Sequence, residues 1–370
     1  MIQHGQRRLR IGMISPYSLT VPGGVQGQIL GLARALRARG EYVRVLGPCD
    51  GPPPEPFVTP LGNCVPTGAN GSVVPLAPDP SAQLRTIRAL RDEEFDVLHL
   101  HEPMAPGPTM TAMLVKPAPI VGTFHRAGHS VAYDVFRPLT LRGARRISIR
   151  YAVSDDAEAL AIDALGGQYE RAFNAVDISR YRSGVAKKTD GPTIFFIARH
   201  EERKGLAVLL EAFGMLDPTV RLWIGGTGPE TAALQSTYAG DPRISWLGEI
   251  DEEEKIDRML GADVFCAPSL YGESFGIVLL EAMAAQTAVV ASNIPGYAKV
   301  TRDGADGALV APGSAQLLAA ELESVLSNGS RRDALVESGS NRVQEFSMHR
   351  LADLYHAAYC RAVDIEEGRR

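Results

Sequence analysis

Short apolar runs rich in β-branched residues alternate with longer amphipathic stretches through most of this chain. The strand-like runs fall at 9–15, 42–47, 96–101, 120–124 and 149–153, then at 193–198, 221–225, 244–247, 264–267, 288–292 and 308–310. Helical patterns lie between them, at 25–39, 84–92, 154–165, 206–216, 252–260 and 277–285. Alternation of this kind predicts an α/β fold, with parallel strands joined by helical crossovers and sheets covered on both faces. With 370 residues, 45% of them hydrophobic, the chain is too long for one ordinary core and suits two Rossmann-like, doubly wound domains. The rhythm pauses in the polar stretch 177–184, which puts the cut near 173–188. Doubly wound sheets bind ligands outside the carboxyl ends of their strands. Two of them facing each other predict an active site in an interdomain cleft. The Pro/Gly-rich segment 51–60 reads as a surface loop of the first domain. The stretch 349–363 reads as a helix with Leu351, Leu354, Tyr355 and Ala358 on one face.

The formal net charge of −5 gives no global field that draws nucleic acid, so no nucleic-acid partner is expected. Cys49, Cys64, Cys266 and Cys360 lie far apart, with no CxxC or Cys/His ligand spacing. Free thiols in a reducing cytoplasm are expected, without a disulfide framework or a bound metal. Arg7, Arg8 and Arg10 are not followed by an apolar segment of signal-peptide type. No apolar run approaches the roughly 18 residues that span a bilayer. The expected protein is cytoplasmic, soluble or peripheral on the inner face of the cell membrane.

The strongest chemical signal is Gly272-Glu273-Ser274-Phe275-Gly276-Ile277, running on to Glu281. Glu273 stands just outside the start of an apolar helix, and Glu281 lies two turns in. The amides of Ser274, Phe275, Gly276 and Ile277 are the orphan donors of that helix start, a ready anion site. A diphosphate docked there leaves Glu281 for neutral ribose hydroxyls and Glu273 facing a sugar. For either carboxylate alone, a first-turn glutamate favoured by the helix dipole is the plain alternative. Two carboxylates repel a pyrophosphate unless cations offset them. Arg199 and Lys204, in the loop after the run at 193–198, supply that charge.

Gly23 and Gly24 open the helical pattern at 25–39, where paired glycines let backbone approach a phosphate. A simple turn explains Pro22-Gly23-Gly24 as well. The glycine loop at 225–228 lacks the last glycine of a dinucleotide fingerprint, which disfavours a nicotinamide cofactor. His125 follows the run at 120–124, at the end of the strand where ligands bind. His99 and His101 alternate on a strand and share one face beside Glu102, a string that mimics metal ligation. Arg85, Arg88 and Arg91 share a helix face, and Arg142, Arg145, Arg146 and Arg150 form a second cluster. Each cluster is either a solvated face or a contact to an anionic membrane surface.

These strings resemble family 4 glycosyltransferases of the GT-B fold. The resemblance rests on the Glu-x7-Glu string at 273–281, the Arg…Arg-Lys-Gly loop at 199–205, and Val21-Pro22-Gly23-Gly24-Val25-Gln26. Ser15-Pro16-Tyr17-Ser18, Ala69-Asn70-Gly71-Ser72-Val73 and the segment 96–103 narrow it to phosphatidylinositol mannosyltransferases that use GDP-mannose. The likeness runs from about 10 to 359. It implies an acceptor-binding domain at 1–172 plus 348–370, with a returning C-terminal helix, and a nucleotide-sugar-binding domain at 173–347.

By the same resemblance, His125, Arg199, Lys204 and Glu273 are catalytic. Donor binding falls to Gly23, Gly24, Ile250, Glu252, Lys255, Ser274, Phe275, Gly276, Ile277 and Glu281, with 250–255 as the base-binding loop. Acceptor binding falls to Tyr17, Gln26, Asn70 and Arg126, the last in place of a family lysine. The implied reaction is retaining transfer of a hexose, mannose from GDP-mannose, to an inositol lipid. No tightly bound cofactor is implied, and Mg2+ is allowed by the motifs but not required. The alternatives are a UDP-sugar transferase acting on a soluble inositol phosphate or glycan, and a catalytically silent nucleotide-sugar-binding scaffold. The chain departs from the family at Ala175, where the family has glycine, and in a 199–205 loop one residue shorter.

Overall fold

The computed structural model describes residues 8–21, 23–69, 72–77, 79–125, 137–273 and 275–368, with 65–69, 72–76 and 137–139 through their backbone alone. Asn70, Arg126 and Ser274 lie outside the described residues. The chain divides into two compact units, Met1–Ala175 with Met348–Arg370, and Val176–Ser347.

The first unit carries β1 (Arg10–Ile14), β2 (Tyr42–Gly47), β3 (Val58–Pro60), β4 (Val65–Ala69) and β5 (Ser72–Leu76). It continues with β6 (Val97–His101), β7 (Ile120–Phe124), β8 (Ile149–Ala152) and β9 (Glu170–Arg171). Seven of these form a parallel sheet in the order β3-β2-β1-β6-β7-β8-β9, while β4 and β5 pair as an antiparallel hairpin. The second unit carries β10 (Thr193–Ile197), β11 (Arg221–Gly225), β12 (Ile244–Gly248), β13 (Val264–Ala267), β14 (Ala288–Ser292) and β15 (Ala308–Val310). They form a parallel sheet in the order β12-β11-β10-β13-β14-β15. In each unit the chain starts mid-sheet, adds two strands on one side and then crosses to the other. The order therefore reverses at β1/β6 and at β10/β13. At such switch points the loops leaving the carboxyl ends diverge and open a crevice.

Side chains alternate between two cores in the first unit. Ile11, Met13, Val97 and Val121 pack with helices Gly24–Ala38 and Met348–Glu367. Leu98, Leu100 and Ile120 pack on the opposite face with Ala112 and Met113 of helix Pro108–Val115. Burial on both faces is why these strands read as unbroken apolar runs. The terminal helix buries Leu351, Tyr355 and Ala358 and half-buries Leu354, the face expected from its spacing. The Met348 side chain fills the space beside Gly31, where a Cβ would lie 2.5 Å from its Cε. No helix among the described residues is long and apolar enough to cross a membrane.

Two expectations change. The loop expected at 51–60 ends in β3, whose partner β2 receives the Phe57 carbonyl through Val45 N at 3.0 Å. Pro60 is tolerated there because β3 is an edge strand. The polar stretch at 177–184 contains a short helix, Ile178–Arg182, because the Asp177 carboxylate accepts from Arg180 N at 3.3 Å.

Where the chain leaves the first unit, a side chain stands in for a strand. Gln28 Nε2 donates to Ala175 O at 2.8 Å and its Oε1 accepts from Ala175 N at 2.7 Å, both residues being buried. Gln28→Leu keeps the volume but strands both backbone groups. It should lower stability by about 1–3 kcal/mol per unsatisfied group, read as a fall in the urea midpoint. An unchanged midpoint would show that the amide pair contributes nothing.

Candidate functional site

At the β10/β13 switch point of the second unit, ion-paired side chains from two loops meet. The loop after β10 carries Arg199, a single 3-10 turn at Glu202–Lys204 and Gly205, and then enters helix Leu206–Phe213. Gly205 has φ +70°, and a Cβ there would lie 2.0 Å from Pro268 O in the loop after β13. Only glycine permits that approach. The two loops are tied by Leu270 N donating to Arg203 O at 2.7 Å. Lys204 Nζ consequently meets Glu273 Oε1. Arg203 Nη1 lies 3.2 Å from the same oxygen, and its Nη2 lies 2.6 Å from Glu201 Oε1. Arg199, with 54% of its side chain exposed, reaches Glu201 at 3.8 Å. The lysine expected on phosphate thus rests on the carboxylate expected at the sugar. Arg203, given no role from sequence, is the second cation. Its only signal was its place in the 199–205 loop.

The helix start beside Glu273 is built by a second glycine. Gly276, at φ +86°, is the N-cap of helix Ile277–Ala284, and a Cβ there would lie 2.5 Å from Tyr297 Cδ1. The Tyr297 hydroxyl is held 3.0 Å from Ser269 Oγ. Among the described residues no side chain caps this helix start, which leaves its first amides to an anion. Phe275 is half-buried against Phe346, with ring centroids 5.6 Å apart.

Glu281 and Lys255, both expected on the donor, are partners of each other. Lys255 Nζ lies 3.2 Å from each Glu281 oxygen and 2.9 Å from Glu252 Oε2. Burial opposes the charge on Lys255. The Glu281 and Glu252 carboxylates more than offset it and hold its pKa above the usual lysine value. Buried Tyr181 closes the cluster, its hydroxyl donating to Glu252 Oε1 at 3.1 Å. Asp251 caps helix Glu252–Gly261 through Glu254 N at 2.8 Å, and Ile250 packs on the neighbouring core. In the glycine loop after β11, a Cβ on Gly226 would lie 2.0 Å from Ala198 O. Those glycines serve backbone packing.

In the first unit, Tyr17 is half-buried in the loop after β1, its N–H donating to Ser15 Oγ at 3.2 Å. Gln26, expected at the acceptor, is buried, with Nε2 donating to Ser18 O at 3.3 Å. Gly23 makes room for it: a Cβ there would lie 2.5 Å from Gln26 Oε1, whereas one on Gly24 would meet nothing within 4 Å. His125 follows β7, its N–H donating to Glu102 Oε1 at 2.5 Å, with Nε2 2.9 Å from His101 Nδ1. His99 is fixed between the Tyr359 hydroxyl at 2.7 Å and Thr123 Oγ1 at 2.8 Å. Burial pushes the pKa of His99 down to about 3 and that of His125 to about 4, so both are neutral near pH 7. Among the described residues, no group of three or more His, Cys, Asp or Glu is placed to hold a metal ion.

The basic clusters diverge. Arg146 donates to Met113 O at 3.0 Å, and Arg150 to Ala144 O at 2.6 Å and Gly166 O at 3.0 Å, which are structural tasks. Arg85 bonds Leu61 O at 2.9 Å, while Arg88 leaves 85% of its side chain exposed on the same helix, Pro80–Asp92.

Removing the cation from the Glu252–Lys255–Glu281 cluster leaves two carboxylates uncompensated. Lys255→Met should destabilise the chain by about 3 kcal/mol in urea denaturation. A loss under about 1 kcal/mol would mean that solvent already screens these charges.

Two family models match the chain, glycosyl transferases group 1 over residues 177–342 and glycosyltransferase family 4 over residues 22–180. The phosphatidyl-myo-inositol mannosyltransferase of Mycobacterium leprae is 41% identical over 91% of this chain and 93% of its own length. That of Mycolicibacterium smegmatis is 40% identical over 91% and 90%. Among solved structures, the sucrose-phosphate synthase of Thermosynechococcus elongatus superimposes with a TM-score of 0.73 at 20% identity, covering 96% of this chain and 99% of that one. The Anabaena protein HepE, solved with UDP and glucose, gives 0.69 at 19% identity, with 95% and 99% covered. At such identities the likeness is one of fold, the two-sheet GT-B architecture. The chain belongs to glycosyltransferase family 4 and is a sugar-transferring enzyme of the hexosyltransferase type.

Proposed function

We propose that the chain transfers mannose, with retention, from GDP-mannose to phosphatidyl-myo-inositol. The observation that carries the donor site is the β10/β13 cluster, where Arg203 and Lys204 converge on Glu273 beside an uncapped, glycine-opened helix start. Mannose and the inositol lipid are supported by the activity that the mycobacterial relatives are named for. The acidic helix start at 251–254 favours a base that presents hydrogen-bond donors, as the guanine amino group does.

In this reading the diphosphate sits on the amides at the start of helix Ile277–Ala284, within reach of Lys204, Arg203 and Arg199. Charge develops on the diphosphate as its bond to the sugar's anomeric carbon breaks, and fixed cations stabilise it most at that moment. The acceptor hydroxyl oxygen bonds to the anomeric carbon from the same face, and its proton passes to the departing phosphate oxygen. Glu273 shares its cations with the arriving phosphate and orients the sugar hydroxyls. Glu281, steadied by Lys255, accepts from the ribose. His125, Tyr17 and Gln26 belong to the acceptor side in the first unit. At the membrane, the exposed face of helix Pro80–Asp92 that bears Arg85, Arg88 and Arg91 meets an anionic leaflet, each cation contributing about 1 kcal/mol.

Glu273→Gln should lower turnover about a hundredfold while leaving GDP affinity near wild type, and an undiminished rate would remove Glu273 from the site. In thermal-shift assays GDP at a hundred times its Kd should stabilise the chain by about 2.7 kcal/mol over the unliganded form, and by more than UDP or ADP at the same concentration. A larger shift with UDP would favour the second reading, a UDP-sugar donor. The triple variant Arg85→Glu, Arg88→Glu, Arg91→Glu should lose sedimentation with phosphatidylinositol vesicles at low salt. Equal binding by wild type and variant would refute the leaflet contact.

A further inference from the structure

The carboxyl end of β6 and the residue after β7 share one hydrogen bond whose direction is settled by what surrounds it. His101 Nδ1 and His125 Nε2 lie 2.9 Å apart. Both rings are neutral, because burial disfavours their protonated forms. One nitrogen of the pair must therefore donate and the other accept. The two possible arrangements leave different groups behind. If His125 donates through Nε2–H, His101 keeps its own proton on Nε2. That nitrogen is buried and has no hydrogen-bond partner, so an N–H would be stranded. If His101 donates through Nδ1–H, its Nε2 carries only a bare lone pair. Buried acceptors without a partner are tolerated better than stranded N–H groups, and the second arrangement wins.

His101 is held in this geometry. It is 2% exposed, its ring lies 4.2 Å from that of His99, and His99 is pinned by Tyr359 and Thr123. His101 also pairs in register with Thr123, which brings residue 125 onto the same face of the sheet. The backbone N–H of His125 is already spent on Glu102. No hydrogen bond from the described residues reaches His125 Nδ1.

We infer that His101 is a positioning residue that fixes His125 as its Nδ1–H tautomer, so that His125 offers a hydrogen-bond donor to the ligand it meets. The ligand chemistry is then a hydroxyl oxygen with a free lone pair, on a sugar or an inositol. His125 holds and polarises such an oxygen and does not take its proton. The identity of that ligand rests on the proposed placement of His125 in the transfer site, whereas the tautomer does not.

The ring nitrogens of the full chain labelled with 15N-histidine report the tautomer through their two-bond proton correlations near pH 7, assigned against His125→Gln. The expected result is a protonated Nδ1 and a bare Nε2 on His125, with His101→Phe shifting it toward the Nε2–H form. A wild-type His125 protonated on Nε2 overturns the inference, as does a tautomer that His101→Phe leaves unchanged. Should that variant fail to fold, the wild-type spectrum alone decides. In kinetics, His101→Phe should lower kcat about tenfold, as when a histidine loses its orienting partner, with KM for the donor little changed. His101→Asn, which keeps a donor near the Nδ1 position, should recover most of that loss, and an equal loss in both variants overturns the positioning role. Full turnover by His125→Gln would instead refute the placement of His125 in the site and leave the tautomer standing.

Discussion

The candidate site of the second unit depends on two loops touching at a residue that has no side chain. With a Cβ at Gly205 only 2.0 Å from Pro268 O, any other residue would push the β10 and β13 loops apart. Because they touch, Arg203 and Lys204 on one loop face Glu273 on the other. Gly276 does the same for the helix behind them, its φ of +86° turning the chain under Tyr297. The charged residues are the candidates for chemistry, and the glycines decide that they meet. Backbone geometry comes first and electrostatics follows.

The two units share a topology and use it with opposite electrostatics. At the switch point of the second, cations and carboxylates are partly desolvated and neutralise one another, an arrangement that depends on every partner being present. On the corresponding face of the first, neutral histidines, tyrosines and a threonine are joined by hydrogen bonds, with the buried Glu102 carboxylate turned to the His125 backbone N–H. A ligand would find exchangeable cations in one unit and, on that histidine face of the other, mainly uncharged hydrogen-bonding rings and hydroxyls. Under the proposed function, this division suits a donor carrying a diphosphate and an acceptor presenting a hydroxyl.

Much of this was legible in the sequence, and the rest was hidden for physical reasons. The long strands announced themselves because both of their faces are buried. β9 did not, since it has two residues, both exposed, and β4 and β5 did not, since Pro66, Gly68 and Pro75 interrupt them. Helix Gly329–Arg342 was missed because Gly339 is its only buried residue and it has no apolar stripe. The site residues were visible as local strings, but their pairings were not. Lys204 and Glu273 are 69 positions apart and Lys255 and Glu281 are 26 apart. The first of these contacts exists only because β10 lies beside β13 in the sheet. The same holds for His101 and His125, which meet because β6 pairs with β7. A string of residues shows what chemistry is present, and the strand order shows which groups share it.

The returning terminal helix also has a consequence for how the chain is made. The second unit is one unbroken stretch, Val176–Ser347, but the first is closed only by Met348–Arg370. Tyr355 and Tyr359 of that last helix complete the face that holds His99 and Thr123. On the ribosome, the half synthesised first therefore waits with an uncovered apolar face while the half synthesised later can finish folding before it. Only when helix Met348–Glu367 emerges does the older half acquire its last wall.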